Sequence, residues 1–333
     1  MSPDPSADPL RPMPPMTLDW TAAARLRLLD LRRGAGAWGY RARSIPAAEP
    51  SILTAMALLA LGGDGPDDAS EAVALASARR LASARRPDGS VGVSAEVPEP
   101  GWPTPLAVLL WSSLGGFEAE RRDAVGWLIG LRGKTIARVP NDPMGHDASL
   151  VGWPWVAGTH SWVEPTAMAL LALAREGMAA HPRATEGVRV LLDRAIPGGG
   201  WNLGNPVVFG TTLRPLPGPT GLALLALAAM GVRDRAVDEA ISYLNRALPS
   251  TLAPVSLGWG LLGLRAWSAR PGWADDRLAA AFGGTEPGDP RPVELALLLL
   301  AASGRSTEIL GVSGRETVAS ATLLYPSEVP THD

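Results

Sequence analysis

The stretch from Lys134 to Glu164 concentrates side chains able to move protons. Within it and just beyond, NDPMGHDASLVGWPWVAGTHSWVEPT (Asn141–Thr166) sets Asp142, His146, Asp147, His160 and Glu164 among Trp153, Trp155 and Trp162. A carboxylic acid walled by indole rings loses the hydration of its charged form, so its pKa rises and it keeps a proton near neutral pH. Such an acid can protonate an alkene or a leaving group. These five residues are the candidate catalytic set. His146 and His160 with one or two carboxylates could also ligate a divalent ion, but their spacing matches no metal-site pattern, and no metal or other cofactor is expected. A plainer account exists for two of the five. Glu164, like Glu49, directly precedes a proline at a helix start, where the positive end of the helix dipole stabilises a carboxylate. Asp147, beside Gly145, suits an Asx turn.

Around these acids, Trp102, Trp153, Trp155, Trp162, Trp201, Tyr40 and Asn202 are the candidate substrate-binding residues. Trp153, Trp155 and Trp162 lie outside the plain repeat phrase described below and are read as pocket lining as readily as packing. Trp38 and Trp201 occupy the plain repeat positions, where a packing wedge is the stronger reading. Glu294 and the pair Asp275–Asp276 sit in first helical turns and read as dipole-stabilised caps. Arg41 and Arg214 could contact a diphosphate at the rim, although exposed arginines near proline usually solvate a loop.

The elements that must position these residues are announced by a repeated phrase: a Gly- and Trp-rich loop, a proline, then an Ala/Leu helix. It occurs at Glu49–Gly63, Thr104–Gly116, Glu164–Gly177 and Gly218–Gly231, and more loosely at Val255–Gly272 and Arg291–Gly304. Proline is accepted in a first helical turn, where its missing N–H has no partner anyway, and glycine stops the helix at the far end. Between these apolar helices lie amphipathic ones with a single buried stripe: Asp67–Arg86, Glu118–Arg132, Arg183–Ala195, Asp234–Ala247 and Ala274–Phe282. A helix-sized repeat cannot bury its own apolar face and must stack on its neighbours. The expected fold is all-α, an α/α toroid of about six inner and six outer helices. Val91–Val97 and Pro206–Thr212 are read as short extended segments. The outer-to-inner loops of such a ring share one rim, and that rim collects the candidate residues. The domain reading is an arm over 1–17, one toroid over 18–310 and a C-terminal extension over 311–333.

Composition narrows the classes. The chain has 333 residues, 46% hydrophobic, a formal net charge of −3 and no cysteine. This describes a globular protein with too little positive charge for a nucleic-acid partner. It excludes disulfides, thiolate zinc sites and cysteine nucleophiles. No signal peptide is recognised in Met1–Met16, and no apolar run reaches the ~20 residues of a membrane span. A cytoplasmic location is the expectation, with peripheral membrane contact left open and the oligomeric state undetermined.

The ends of the amphipathic helices carry a resemblance. RLASARRPDGSVG (Arg80–Gly92), AVGWLIGLRG (Ala124–Gly133), VLLDRAIPGGGWN (Val190–Asn202) and LLDLRRGAGAWG (Leu28–Gly39) are similar to the repeats of squalene/hopene cyclases and protein prenyltransferase β subunits. The resemblance runs from about Trp20 to about Gly304. It implies a helical toroid with an apolar central cavity and an isoprenoid or other apolar ligand. It does not carry over the cyclase acid motif D-x-D-D, which the sequence lacks, or the prenyltransferase zinc set, which needs a cysteine. The expected activity is acid-initiated cyclisation or isomerisation of an isoprenoid or similar hydrocarbon. The alternatives are a non-catalytic toroid that holds lipid or docks a protein, and a carbohydrate-active toroid with paired carboxylates in a Trp-lined cleft.

Overall fold

The computed structural model describes residues 19–62, 69–99, 101–137, 145–285 and 288–312. The arm expected over 1–17 lies outside them, as does the expected extension except for Gly311 and Val312. The described chain alternates outer and inner helices: α1 (Trp20–Asp30), α2 (Ala48–Leu61), α3 (Ser70–Ser83), α4 (Thr104–Leu114), α5 (Glu118–Gly130) and α6 (Val163–Arg175). The second half continues with α7 (Pro182–Asp193), α8 (Pro217–Ala229), α9 (Arg235–Ala247), α10 (Pro254–Ala266), α11 (Ala274–Gly283) and α12 (Pro292–Ala302). The even-numbered helices are the inner set. Each packs on the next, and α12 closes on α2. The odd-numbered helices pack outside them, so the expected toroid of six helix pairs is the fold. The only strands among the described residues are Val207–Val208 (β1) and Thr211–Thr212 (β2), an antiparallel hairpin inside one of the two segments expected to be extended. The other, Val91–Val97, forms no strand.

The inner helices begin where the prolines predict. Pro254 and Pro292 are the first residues of α10 and α12, Pro105 the second of α4, and Pro50, Pro165 and Pro219 the third of α2, α6 and α8. All six N-termini therefore face one rim.

A recurring latch joins three of the outer helices, α1, α5 and α7, to the inner helix that follows. The indole N–H of Trp38 donates to Leu28 O of α1 at 2.7 Å, that of Trp153 to Leu128 O of α5 at 2.8 Å, and that of Trp201 to Leu191 O of α7 at 2.7 Å. The first two take up a carbonyl left over in the last turn of the outer helix, while Leu191 O also accepts from the Arg194 N–H at 3.2 Å. The backbone N–H of the same residue donates to a hydroxyl in the inner helix: Trp38 to Ser51, Trp153 to Thr166 and Trp201 to Thr220, at 2.9–3.0 Å. Val91 holds the equivalent place in the second repeat, donating to Thr104 Oγ1 at 2.9 Å.

The ring is filled. Every residue from Ile52 to Leu58 in α2, Leu106 to Leu110 in α4, Ala169 to Leu173 in α6, Leu222 to Leu227 in α8 and Ala296 to Ala301 in α12 is 0% exposed. A hollow axis wide enough for water would leave exposed faces on these consecutive positions. The apolar central cavity expected from the resemblance is therefore corrected: leucine side chains occupy the axis. Part of the reason is the contact of α8 with α10, where helices meet glycine to glycine. A Cβ on Gly221 would lie 2.1 Å from the Trp259 carbonyl oxygen, and one on Gly263 would lie 2.7 Å from Gly221 Cα. The far mouth is closed by a short helix, α13 (Ser306–Ile309), and the turn after it. Ser303 Oγ donates to Ala60 O at 2.6 Å, Arg175 donates to Glu308 O at 3.0 Å, and Leu310 is fully buried beneath the ring. What remains accessible to a ligand is the near rim.

Candidate acid–base site on the rim

Glu49 is the second residue of α2 and Glu164 the second of α6, so the ring places both carboxyls on the near rim, on either side of α4. Both are partly buried. Burial drives the Glu164 carboxyl up to about 7, and the nearby Glu49 charge adds to the rise. Burial also raises Glu49, but the Tyr40 hydroxyl beside it favours the ionised form and draws it part of the way back. The effect is reciprocal: burial first, then the Glu49 charge, raise the Tyr40 phenol. Two carboxyls with unequal environments result. Glu49 ionises first because a hydroxyl supports its charge, and Glu164 then keeps its proton to about neutral pH. Tyr40 itself is 39% exposed, so the cluster opens outward.

A third inner-helix acid shares the rim. Glu294, in the first turn of α12, is paired with Arg291 at 3.2 Å and is thereby neutralised. Trp102 and Trp155, in the loops that lead into α4 and α6, meet edge to face with ring centroids 5.1 Å apart. Both are half-buried, leaving part of each indole on the rim.

The remaining sequence candidates separate from this cluster. Asp147 is the Asx-turn residue of its loop: its Oδ1 accepts from the backbone N–H and the hydroxyl of Ser149 at 2.9 and 2.6 Å. Asp88 does the same with Ser90 one repeat earlier. Asn202 braces the loop after α7, accepting from the N–H groups of Gly204 and Asn205 and donating to Asn205 O. Trp153 and Trp201 are 1% and 0% exposed and serve the latch, leaving no surface for a ligand. His146, His160 and Trp162 line a separate cavity on the outer side of the rim. Asp142 lies outside the described residues. No group of three His, Cys, Asp or Glu residues that could hold a metal ion occurs among the described residues.

Glu49 is the functional candidate that the sequence reading passes over as a helix-dipole residue. Its signal was nonetheless present. Glu49 and Glu164 open the same phrase, each immediately before proline and the latch hydroxyl of Ser51 or Thr166.

No protein-family model matches the chain, and no curated relative matches it. Solved structures do. A protein from Actinoplanes is 22% identical, with a TM-score of 0.52 over 79% of each chain. The type II terpene cyclase MstE from Scytonema, without ligand, is 16% identical, with a TM-score of 0.55 over 80% of this chain and 79% of its own. A glycoside hydrolase family 76 mannosidase, Bt3792 from Bacteroides thetaiotaomicron, is 11% identical, with a TM-score of 0.55 over 88% of this chain and 98% of its own. At such identities the likeness is one of fold: the chain is an α/α toroid, an architecture built by both a terpene cyclase and a mannosidase.

Proposed function

We propose that the chain is an acid–base enzyme whose reaction is run on the rim by Glu164 as proton donor and Glu49 as the carboxylate opposite it. The observation that carries this reading is the pair itself: two partly buried carboxyls whose environments separate their ionisation, with Glu164 holding its proton up to about pH 7. A donor of that strength is suited to an oxygen. Protonating a bare alkene creates a carbocation and calls for a stronger acid, whereas a hydroxyl, an epoxide or an acetal oxygen accepts the proton as its C–O bond breaks.

The substrate reading follows the surface. The rim loops and the start of α10 expose Leu203, Phe209, Leu213, Leu216, Leu252 and Val255, six large apolar side chains, which favour an apolar skeleton. An oxygenated isoprenoid fits both features. Glu164 would protonate its oxygen, the C–O bond would break to a cation, and Glu49 would stabilise that cation and collect the proton lost on ring closure or double-bond shift. The scheme has in its favour that MstE, a toroid of the same architecture, has been solved with geranylgeranyl dihydroxybenzoate as substrate.

One observation favours a second reading. The Trp102–Trp155 pair, in the loops that lead into α4 and α6, offers indole surface on the same rim as the carboxyl pair, surface a sugar could stack on, and the mannosidase toroid matches 88% of this chain. In that case Glu164 would protonate a glycosidic oxygen and Glu49 would serve as base or nucleophile. Incubation with linear isoprenoid alcohols and epoxides, and in parallel with oligomannosides, followed by mass spectrometry, tests both. A cyclised or isomerised isoprenoid absent from Glu164→Gln supports the first reading; released sugar absent from the same variant supports the second. Product formed equally well by Glu164→Gln and Glu49→Gln would refute both.

A further inference from the structure

A cavity of about 220 Å³ lies on the outer side of the rim, between the loop entering α6 and the end of α7. Its wall is divided. One part is cationic and polar, with Lys134, Arg194, Asn205 and Ser161; the other is apolar, with Ile136, Leu150 and Trp162. The apolar part could hold many ligands, so the cations decide the chemistry. Arg194 is only 5% exposed. Its Nε donates to Asp193 at 3.2 Å and its Nη1 to Gly204 O at 2.8 Å, which fixes the guanidinium in place. Among the described residues Nη2 has no acceptor, yet it is not among the buried atoms that lack one. The residue's small exposed area therefore includes Nη2, and the cavity is where Arg194 meets solvent. Lys134 is exposed and has no carboxylate partner among the described residues. Its main chain is held, with its N–H on Thr159 O at 2.8 Å and its carbonyl 3.1 Å from His160 Nδ1.

The equivalent space one repeat pair earlier shows what is particular here. The cavity beside the start of α2 has a similar volume, about 250 Å³. There the Arg86 guanidinium is ion-paired with Glu99 at 2.9 Å, and Ala84 stands where Arg194 stands in the later repeat. The register is fixed by a shared turn, Arg86 N–H to Ser90 O and Ile196 N–H to Gly200 O, both 2.9 Å. The later cavity thus has a buried guanidinium held by Asp193 and Gly204 O with its Nη2 edge left over, and a second cation, Lys134, without a carboxylate partner among the described residues.

We propose that this cavity binds a small organic oxyanion, whose charged end meets Lys134 and Arg194 and whose apolar end lies against Trp162, Ile136 and Leu150. A guanidinium with one free N–H edge and an ammonium together suit a carboxylate or a phosphate monoester. Asn205 and Ser161 add polar atoms to the same wall. The site is distinct from the Glu49–Glu164 pair and does not depend on the reaction assigned to that pair, although Trp162 lies two residues before Glu164 and so joins the two regions.

Isothermal titration of the full chain with benzoate and with phenyl phosphate tests the proposal, with benzyl alcohol as the uncharged control. Saturable one-to-one binding of either anion, with benzyl alcohol silent, is the expected result, and the tighter of the two identifies the head group. Lys134→Glu, at an exposed position, should fold normally and weaken binding by roughly tenfold or more through loss of a charge-assisted contact. Asn205→Asp, also exposed, should weaken it in the same direction. Three outcomes would overturn the proposal: no saturable heat with either anion, benzyl alcohol binding as well as benzoate, or anion affinity left unchanged by both variants.

Discussion

Glu164→Gln offers a test of the acid site that needs no knowledge of the substrate. The carboxyl moves from its ordinary 4.5 to about 7 on folding, with burial the larger cause and the Glu49 charge the smaller. Below pH 4.5 it is neutral in both folded and unfolded chains, and the site carries no penalty. Between 4.5 and 7 the unfolded chain releases the proton while the folded chain retains it, so stability falls as pH rises. Above 7 the loss is complete. About 2.5 pH units at about 1.36 kcal/mol each is on the order of 3 kcal/mol. Glutamine matches the shape of the neutral acid and never ionises, so the variant escapes the penalty. Urea unfolding of both proteins at pH 4.5 and pH 8.5 should give nearly equal stabilities at the lower pH. At the higher pH the variant should be more stable by roughly 3 kcal/mol. Taking the difference between the two proteins at each pH cancels every other titrating group. A variant that is less stable at pH 8.5, or equally changed at both pH values, would show that Glu164 is ionised and satisfied throughout, and would remove it as a proton donor.

Glu49→Gln should move the Glu164 transition downward, because it deletes the neighbouring charge that adds to the rise; the same pair of unfolding experiments in the Glu49→Gln background locates the midpoint. Tyr40→Phe should raise Glu49 further by removing the hydroxyl that favours its charge, which carboxyl-carbon NMR would follow directly. Trp38→Phe keeps most of the packing but strands the Leu28 carbonyl, at a cost of about 1–3 kcal/mol in urea unfolding; no measurable loss would show that the latch is ornamental. Gly263→Ala forces a methyl group to within 2.7 Å of Gly221 Cα and should destabilise the fold by about 1–3 kcal/mol or more, since backbone on both sides must yield.

The toroid was legible in the sequence because its signal is repeated. Six apolar helices opened by proline and closed by glycine admit few other arrangements, and the alternating amphipathic helices say which side faces water. The latch tryptophans were legible only in part. Trp153 reads as lying outside the repeat because its loop is long, yet the Trp153-to-Thr166 spacing is that of Trp38 to Ser51. The register was therefore present, counted forward into the next helix rather than back from the glycines. Two features had no local signature. The filling of the axis depends on how closely facing helices approach, set by contacts such as Gly221 with Gly263 across two different repeats. The pairing of Glu49 with Glu164 depends on ring closure, which joins residues from separate repeats. Asp147, a catalytic candidate for which the sequence also offered an Asx turn, has its oxygen engaged in that turn.

Position at a helix start supplies a simple account of Glu164 and Glu49, and the magnitudes decide against it. A carboxylate that caps a helix accepts backbone N–H bonds and ionises more easily. Asp19 behaves this way at the start of α1, where Thr21 and Ala22 donate to it and its pKa is lowered. At α6 the N-cap position is Trp162, with no side-chain cap bond. The helix dipole favours a charged carboxylate in the first turn by about 0.3–1 kcal/mol at exposed sites. The opposing effect of burial and the Glu49 charge is on the order of 3 kcal/mol. The acid is therefore held at the positive end of a helix and still kept neutral. A residue selected only to cap α6 would gain by being more exposed and by accepting the free N–H groups. Glu164 does neither, and it stands beside a second acid on the near rim, as the proposed proton donor would have to.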